Sequence, residues 1–153
     1  MPYKVDATFL RKLGLKADGR VALIEAPDVF AEAFAALTPG ERLSVQEASL
    51  ETARQGRAGR FHTAIVWMQD TWDLEAVFRS LQTMIQPDGA VWAVIPKKKF
   101  QGNGYPEVDF LRVQAAGLTT DLVDNKDLTF SEAEYGVRFV VRKARRGPRG
   151  DTA

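Results

Sequence analysis

Three stretches of this chain are apolar at consecutive positions, without alternation: residues 20–24 (RVALI), 62–68 (HTAIVWM) and 91–95 (VWAVI). A strand apolar on both faces belongs inside a parallel sheet covered by helices on both sides. Residues 42–46 alternate instead, with Leu43 and Val45 on one side, and predict a strand nearer the edge. Between these runs the period changes to that of a helix. Phe9, Leu10 and Leu13 predict a short helix over 7–13, capped by Asp6, stopped by Gly14 and lying across the sheet edge. Phe30, Phe34 and Leu37 follow Pro27, and Leu74, Val77, Phe78, Leu81 and Ile85 follow Thr71, the expected cap. Val108, Leu111 and Ala115 mark a helix over 106–116, which Gly117 ends. Residues 118–123 read as an outer strand, 125–134 as a connection and 135–142 (YGVRFVVR) as the last strand, antiparallel at the end of the sheet.

Strands alternating with helices imply an α/β, doubly wound, mostly parallel sheet of about five or six strands with right-handed crossovers. The stretch QPDGAVWAVIPKKKF organises it: Pro87-Asp88-Gly89 is a turn signal, 91–95 the central strand, and Pro96 the stop. Residues 50–55 suit a helical turn, whereas 54–60 (RQGRAGR) and 100–106 (FQGNGYP) are glycine-bearing loops, the second expected to be mobile.

At 153 residues and 45% hydrophobic, the chain suits one domain, over residues 1–143. Residues 144–153 are expected to form a disordered basic tail. Residues 142–149 carry Arg142, Lys143, Arg145, Arg146 and Arg149, leaving 16 of the 21 bases against 19 of the 20 acids in residues 1–141. The formal net charge of +1 thus joins a mildly acidic body to a basic end. The absence of cysteine excludes disulfides, thiolate metal sites and a thiol nucleophile. The single histidine, His62, excludes a multi-histidine metal site and stands at the strand end opposite any ligand crevice. No apolar run reaches signal-peptide or membrane-spanning character, so no membrane contact and a cytoplasmic location are expected.

In doubly wound sheets ligands bind beyond the carboxyl ends of the strands, where the strand order reverses. With 20–24 beside 62–68, that crevice lies between Glu25-Ala26-Pro27-Asp28 and Gln69-Asp70-Thr71-Trp72, bordered by 96–105. The candidate ligand residues are Glu25, Asp28, Asp70 and Trp72; Trp67 and Trp92 read as core. Lys97, Lys98 and Lys99, with Arg54, Arg57 and Arg60, are candidate contacts for an anion or a nucleic-acid backbone, weighed against ordinary solvated loops.

The turn Ile85-Gln86-Pro87-Asp88-Gly89 before a central strand resembles the Leu-Lys-Pro-Gly-Gly-like turn of class I S-adenosylmethionine-dependent methyltransferases. The order of the closing helix, strand, loop and strand also matches that superfamily. More narrowly, KLGLKADGRVALIEAP, GAVWAVIPKKKF and YGVRFVVRK resemble a small bacterial family of unknown function that has this fold in shortened form. The resemblance spans most of residues 9–143 and implies an acidic residue at the end of strand one, where Glu25 stands. It also implies a glycine-rich turn after it. Here Ala26, Pro27, Asp28, Val29, Phe30 and Ala31 follow, and they contain no glycine. Side chains block close backbone approach, Pro27 offers no N–H, and Asp28 puts negative charge where a ligand anion would sit.

The expectation is therefore a degenerate methyltransferase-like domain without a cofactor, acting by binding another protein, a second copy of itself or nucleic acid. The alternatives are a S-adenosylmethionine-dependent or other small-ligand enzyme with a diverged pocket, and a nucleic-acid binder using the basic loops.

Overall fold

The computed structural model describes residues 3–37 and 43–143. Residues 38–42, which include the first residue of the strand predicted over 42–46, and the tail 144–153 lie outside the described residues. In chain order the elements are α1 (Ala7–Leu13), β1 (Arg20–Ile24), α2 (Asp28–Leu37), β2 (Ser44–Ala48), α3 (Leu50–Arg54), β3 (Phe61–Trp67), α4 (Leu74–Met84), β4 (Ile85–Pro96), α5 (Phe110–Leu118), β5 (Leu122–Thr129) and β6 (Glu134–Val141). The sheet runs β2-β1-β3-β4-β6-β5. The first four strands are parallel neighbours, and β6 is antiparallel to both β4 and β5.

The unbroken apolar runs are explained by two cores, one on each face. Ala22, Ile24, Ala64, Val66, Val91, Ala93 and Ile95 pack beneath α3, α4 and α5 with Phe78, Leu81, Val113 and Phe139. Their alternates Val21, Leu23, Ile65, Trp67, Trp92 and Val94 pack beneath α1 and α2 with Phe9, Leu13, Phe30, Phe34 and Phe130. A strand between two such layers is apolar on both faces, with Thr63 the buried polar side chain of β3.

Asp6 caps α1, accepting from the Phe9 N–H at 2.8 Å, and Gly14 closes it at φ 70°. The helix does not lie across an edge, however. Phe9 and Leu13 draw it over β4, where the Leu13 carbonyl accepts from Trp92 Nε1 at 3.1 Å.

Other boundaries also differ from expectation. Asp73, not Thr71, caps α4, because Gln69 to Trp72 form a turn first, Trp72 N–H donating to the Gln69 carbonyl at 3.3 Å. Ile85 begins β4 and pairs with Phe61; the next pairing is Thr63 with Ala90, so Gln86-Pro87-Asp88-Gly89 is a bulge inside the strand.

α5 starts after Asp109 and buries Val113, Ala116 and Gly117, whereas Leu111 is 71% exposed. Gly117 does not end the helix. It lies inside it, where a Cβ would stand 2.5 Å from the Phe139 ring. β5 runs on through polar 124–129 because it bonds only to β6 and is the sheet edge. The two-sided β6, with Val137, Phe139, Val140 and Val141 buried, inserts between β4 and β5 and does not end the sheet. The loop after β4 is folded. Gly102 at φ 80° and Gly104 at φ 83° turn it, a Gln101–Tyr105 bridge closes it, and Phe100 meets Tyr105 edge-on at 5.9 Å.

Candidate functional site

Parallel β1 and β3 are neighbours whose chains leave in opposite directions, to β2 and to β4. Their carboxyl ends therefore form the switch point at which doubly wound sheets bind ligands. A cavity of ≈ 430 Å³ opens there, lined by Glu25 and Pro27 after β1, Trp67, Met68 and Gln69 at the end of β3, and Val94 and Pro96 of β4. Gly104-Tyr105-Pro106 forms one wall, and Tyr3 and Glu134 another.

Tyr3 reaches this site because the N-terminal segment lies along the 130–134 turn. It bridges Ser131, and Lys4 N–H donates to the Phe130 carbonyl at 2.9 Å. Ser131 Oγ holds that turn by accepting from the Ala133 and Glu134 N–H groups. The Tyr3 hydroxyl then donates to Glu134 Oε1 at 2.5 Å. Glu134 is only 5% exposed. Burial raises its carboxyl pKa above the ordinary value of 4.5, with the Tyr3 hydroxyl and the Trp67 indole pulling the other way. Burial also raises the Tyr3 phenol far above its usual range, and the bond to Glu134 adds to the rise. Trp67 itself is buried, and its Nε1 donor lies near the Glu134–Tyr3 pair without closing a well-formed hydrogen bond to either.

A carboxyl that holds its proton more tightly folded than unfolded contributes stability below its unfolded pKa, and that contribution is lost as pH rises through the folded value. The wild-type chain is therefore expected to lose thermal stability relative to Glu134→Gln as pH rises above 4.5. The amide still accepts from Tyr3 but cannot ionise. Melting curves at stepped pH check this, and a constant difference between the two proteins would refute it.

The residues singled out from the sequence divide among several places. Glu25 lines the cavity but is itself exposed, at φ 57°. It thus carries the left-handed conformation that a glycine would otherwise supply. Its Oε2 accepts from the Leu50 N–H at 3.0 Å and its N–H donates to the Ala48 carbonyl, tying β1 to the β2–α3 corner. Glu25→Ala is expected to lower stability by roughly 0.5–2 kcal/mol, the range for losing a helix cap. Urea titration reads this, and an unchanged midpoint would show the tie to be idle.

Asp28 opens α2 and is exposed. Asp70 accepts from the Glu107 N–H at 3.0 Å, holding the 100–109 loop to the β3 end. Trp72, half-buried, packs against the α4/α5 core and shares a shallow depression with Leu74, Arg112 and Ala116, apart from the cavity.

Lys97, Lys98 and Lys99 follow the carboxyl end of β4. Arg54, Arg57 and Arg60 precede or flank the amino end of β3, where Arg54 Nε donates to Ser80 Oγ and Arg60 donates to Gln46 Oε1. β3 and β4 are parallel, so the two groups occupy opposite ends of the sheet and share no face. His62 stands at the start of β3, where its Nδ1 accepts from the Arg20 N–H at 3.0 Å. Burial, then the Arg20 charge, lowers its pKa.

Sequence reasoning missed Tyr3 and Glu134. Tyr3 precedes any periodic element, and Glu134 sits in what reads as a connection. Among the described residues, no group of three or more His, Asp or Glu could hold a metal ion, and no helix is long and apolar enough to cross a membrane.

The strand order and the switch-point crevice define a Rossmann-like fold of the methyltransferase type. No family model and no curated protein matches the sequence, but solved structures match the fold. One is a S-adenosylmethionine-dependent methyltransferase from Aquifex aeolicus, at TM-score 0.68 and 12% identity over 88% of this chain and 88% of that one. Another is the geranyl diphosphate C-methyltransferase of Streptomyces coelicolor A3(2), solved with Mg2+, geranyl diphosphate and S-adenosyl-L-homocysteine. It matches at TM-score 0.64 and 9% identity over 88% of this chain and 78% of that one. The Burkholderia thailandensis 1,6-didemethyltoxoflavin-N1-methyltransferase matches at 0.52 and 14% over 87% and 74%.

Proposed function

We propose that this chain binds a small molecule in the crevice at the carboxyl ends of β1 and β3, and that it acts through that binding and not through conventional methyl transfer. The observation that carries the reading is the ≈ 430 Å³ cavity, within the roughly 300–1,000 Å³ of small-ligand sites. Aromatic and apolar walls around a few polar groups are also what such sites require.

Two features argue against a conventional S-adenosylmethionine cradle. The turn after β1 has side chains at every position, and Pro27 and Asp28 remove a donor and add a negative charge where α2 begins. Glu25 Oε2, at the strand end where a cofactor would be met, is already taken by the Leu50 N–H.

A second reading, a methyltransferase with a rebuilt pocket, draws support from the likeness of fold over 88% of both chains to a S-adenosylmethionine-dependent enzyme. Calorimetric titration separates the two. The expected result is no binding of S-adenosylmethionine or S-adenosyl-L-homocysteine tighter than about 1 mM, that is, about −4 kcal/mol. A dissociation constant near 1 μM, about −8 kcal/mol, would overturn the first reading in favour of the second.

A further inference from the structure

The cavity holds a buried carboxyl that no cation among the described residues accompanies. Glu134 is 5% exposed and lines it, yet neither of the ion pairs Lys16–Asp88 and Arg54–Glu51 involves it. Its hydrogen-bonding side-chain partner is the neutral Tyr3 hydroxyl. Lys97, one strand end away, turns its backbone N–H to the Ala133 carbonyl and does not line the cavity. Buried carboxylates are ordinarily matched by a cation. Around this one stand aromatic rings. Tyr3 and Trp67 meet at 6.4 Å between centroids and 82°, and Tyr105 lines the cavity with them. Ring faces attract a poorly hydrated cation. Trp67 adds a second demand: its buried indole N–H acts on Glu134 and Tyr3 but closes no well-formed hydrogen bond with either. One ligand answers both: a positive head that neutralises Glu134 and is enclosed by rings, with an oxygen near enough to accept from Trp67.

We infer that the ligand of this crevice is an organic cation, an alkylated ammonium group bearing a nearby oxygen acceptor, seated among Tyr3, Trp67 and Tyr105 with Glu134 as its counter-ion. This rests on the reading of the crevice as a small-molecule site and names the chemistry that the site selects. Glu25, at the cavity rim, adds negative potential of the same sign. Binding needs no bond to form or break.

The probes are choline and its uncharged carbon isostere 3,3-dimethylbutan-1-ol, which has the same shape and hydroxyl but no charge. Each is titrated by calorimetry into the full chain and followed by the 15N–1H signal of the Trp67 indole, with a panel of neutral and anionic fragments as reference. Choline is expected to move the Trp67 signal and to bind at least about tenfold more tightly than the isostere, the order that ring faces and a buried carboxylate supply. Glu134→Gln, which keeps the shape and the acceptor for Tyr3, is expected to reduce choline affinity about tenfold and leave that of the isostere unchanged. Tyr105→Leu, at the half-buried wall, tests the rings without touching the core, and melting curves establish that both variants fold.

Equal affinity for choline and the isostere would overturn the inference, because a protonated, uncharged Glu134 makes no such distinction. An unaltered choline affinity in Glu134→Gln would overturn it as well. If only neutral or anionic fragments move the Trp67 signal, the cation is wrong and the small-molecule site stands. If nothing moves it at up to about 10 mM, where even a millimolar site is filled, both fall.

Discussion

Trp92→Ala is expected to lower the stability of the chain by about 3–5 kcal/mol, the range for truncating a buried aromatic residue. Typical domains have only about 5–15 kcal/mol in total. Trp92 is fully buried at the middle of β4, and three separate contacts depend on it. Its indole donates to the Leu13 carbonyl and pins α1 over the sheet. Its ring lies 6.3 Å from Phe130, the residue that begins the turn holding Ser131 and Glu134. Gly136 leaves room beside it: a Cβ there would stand 3.1 Å from the Trp92 ring and 2.6 Å from Phe130. Removing the indole leaves an unpaired carbonyl, a cavity and a loosened wall of the crevice together. Urea titration of the variant against Trp72→Ala, whose ring is only half-buried, gives the comparison. A loss no greater than that of Trp72→Ala would show that Trp92 does not anchor α1 and the 130–134 turn on the sheet.

Gly89→Ala is expected to cost about 1–3 kcal/mol through overpacking, and to weaken the pairing of β3 with β4. Here the obstacle is main chain. An added Cβ would lie 2.4 Å from the His62 carbonyl oxygen and 3.0 Å from that of Gln86. A side chain can rotate away, whereas a carbonyl within a ladder moves only with its strand. Gly89 is not among the glycines with positive φ, so what it supplies is close approach across the bulge and not an unusual turn. Gly117→Ala meets the Phe139 ring at 2.5 Å, which can shift with its neighbours, and should cost less. Hydrogen exchange at Thr63 to Trp67 reads the effect directly; unchanged protection in Gly89→Ala would mean that the bulge yields without disturbing the ladder.

The same distinction explains what was legible in advance. Residues 20–24, 62–68 and 91–95 are apolar on both faces, and only an interior strand has a use for that pattern, so the parallel centre of the sheet follows from composition along the chain. Asp6 and Gly14 likewise mark the ends of α1 by local hydrogen bonding and by left-handed backbone. The polar edge strand β5 is not legible from local pattern, because residues 124–129 are held by the ladder to β6 and by long-range contacts such as Lys126 Nζ to the Lys12 carbonyl. The phase of α5 was misread because Leu111 looks apolar and faces water, while Gly117 looks like a stop and is packed under Phe139.

The crevice shows the limit most clearly. Its position could be read from the strand pattern, since the reversal of strand order is a property of topology. Its chemistry could not. Tyr3 and Glu134 are 131 positions apart, and neither belongs to a periodic segment or a motif. What makes them a site is that the 130–134 turn receives the N-terminal segment beside the end of β3, which buries a carboxyl against two aromatic rings. Local pattern determined which strands lie inside; the long-range docking of one segment on another decided where the charge is buried, because burial depends on distant neighbours that no short stretch of sequence contains.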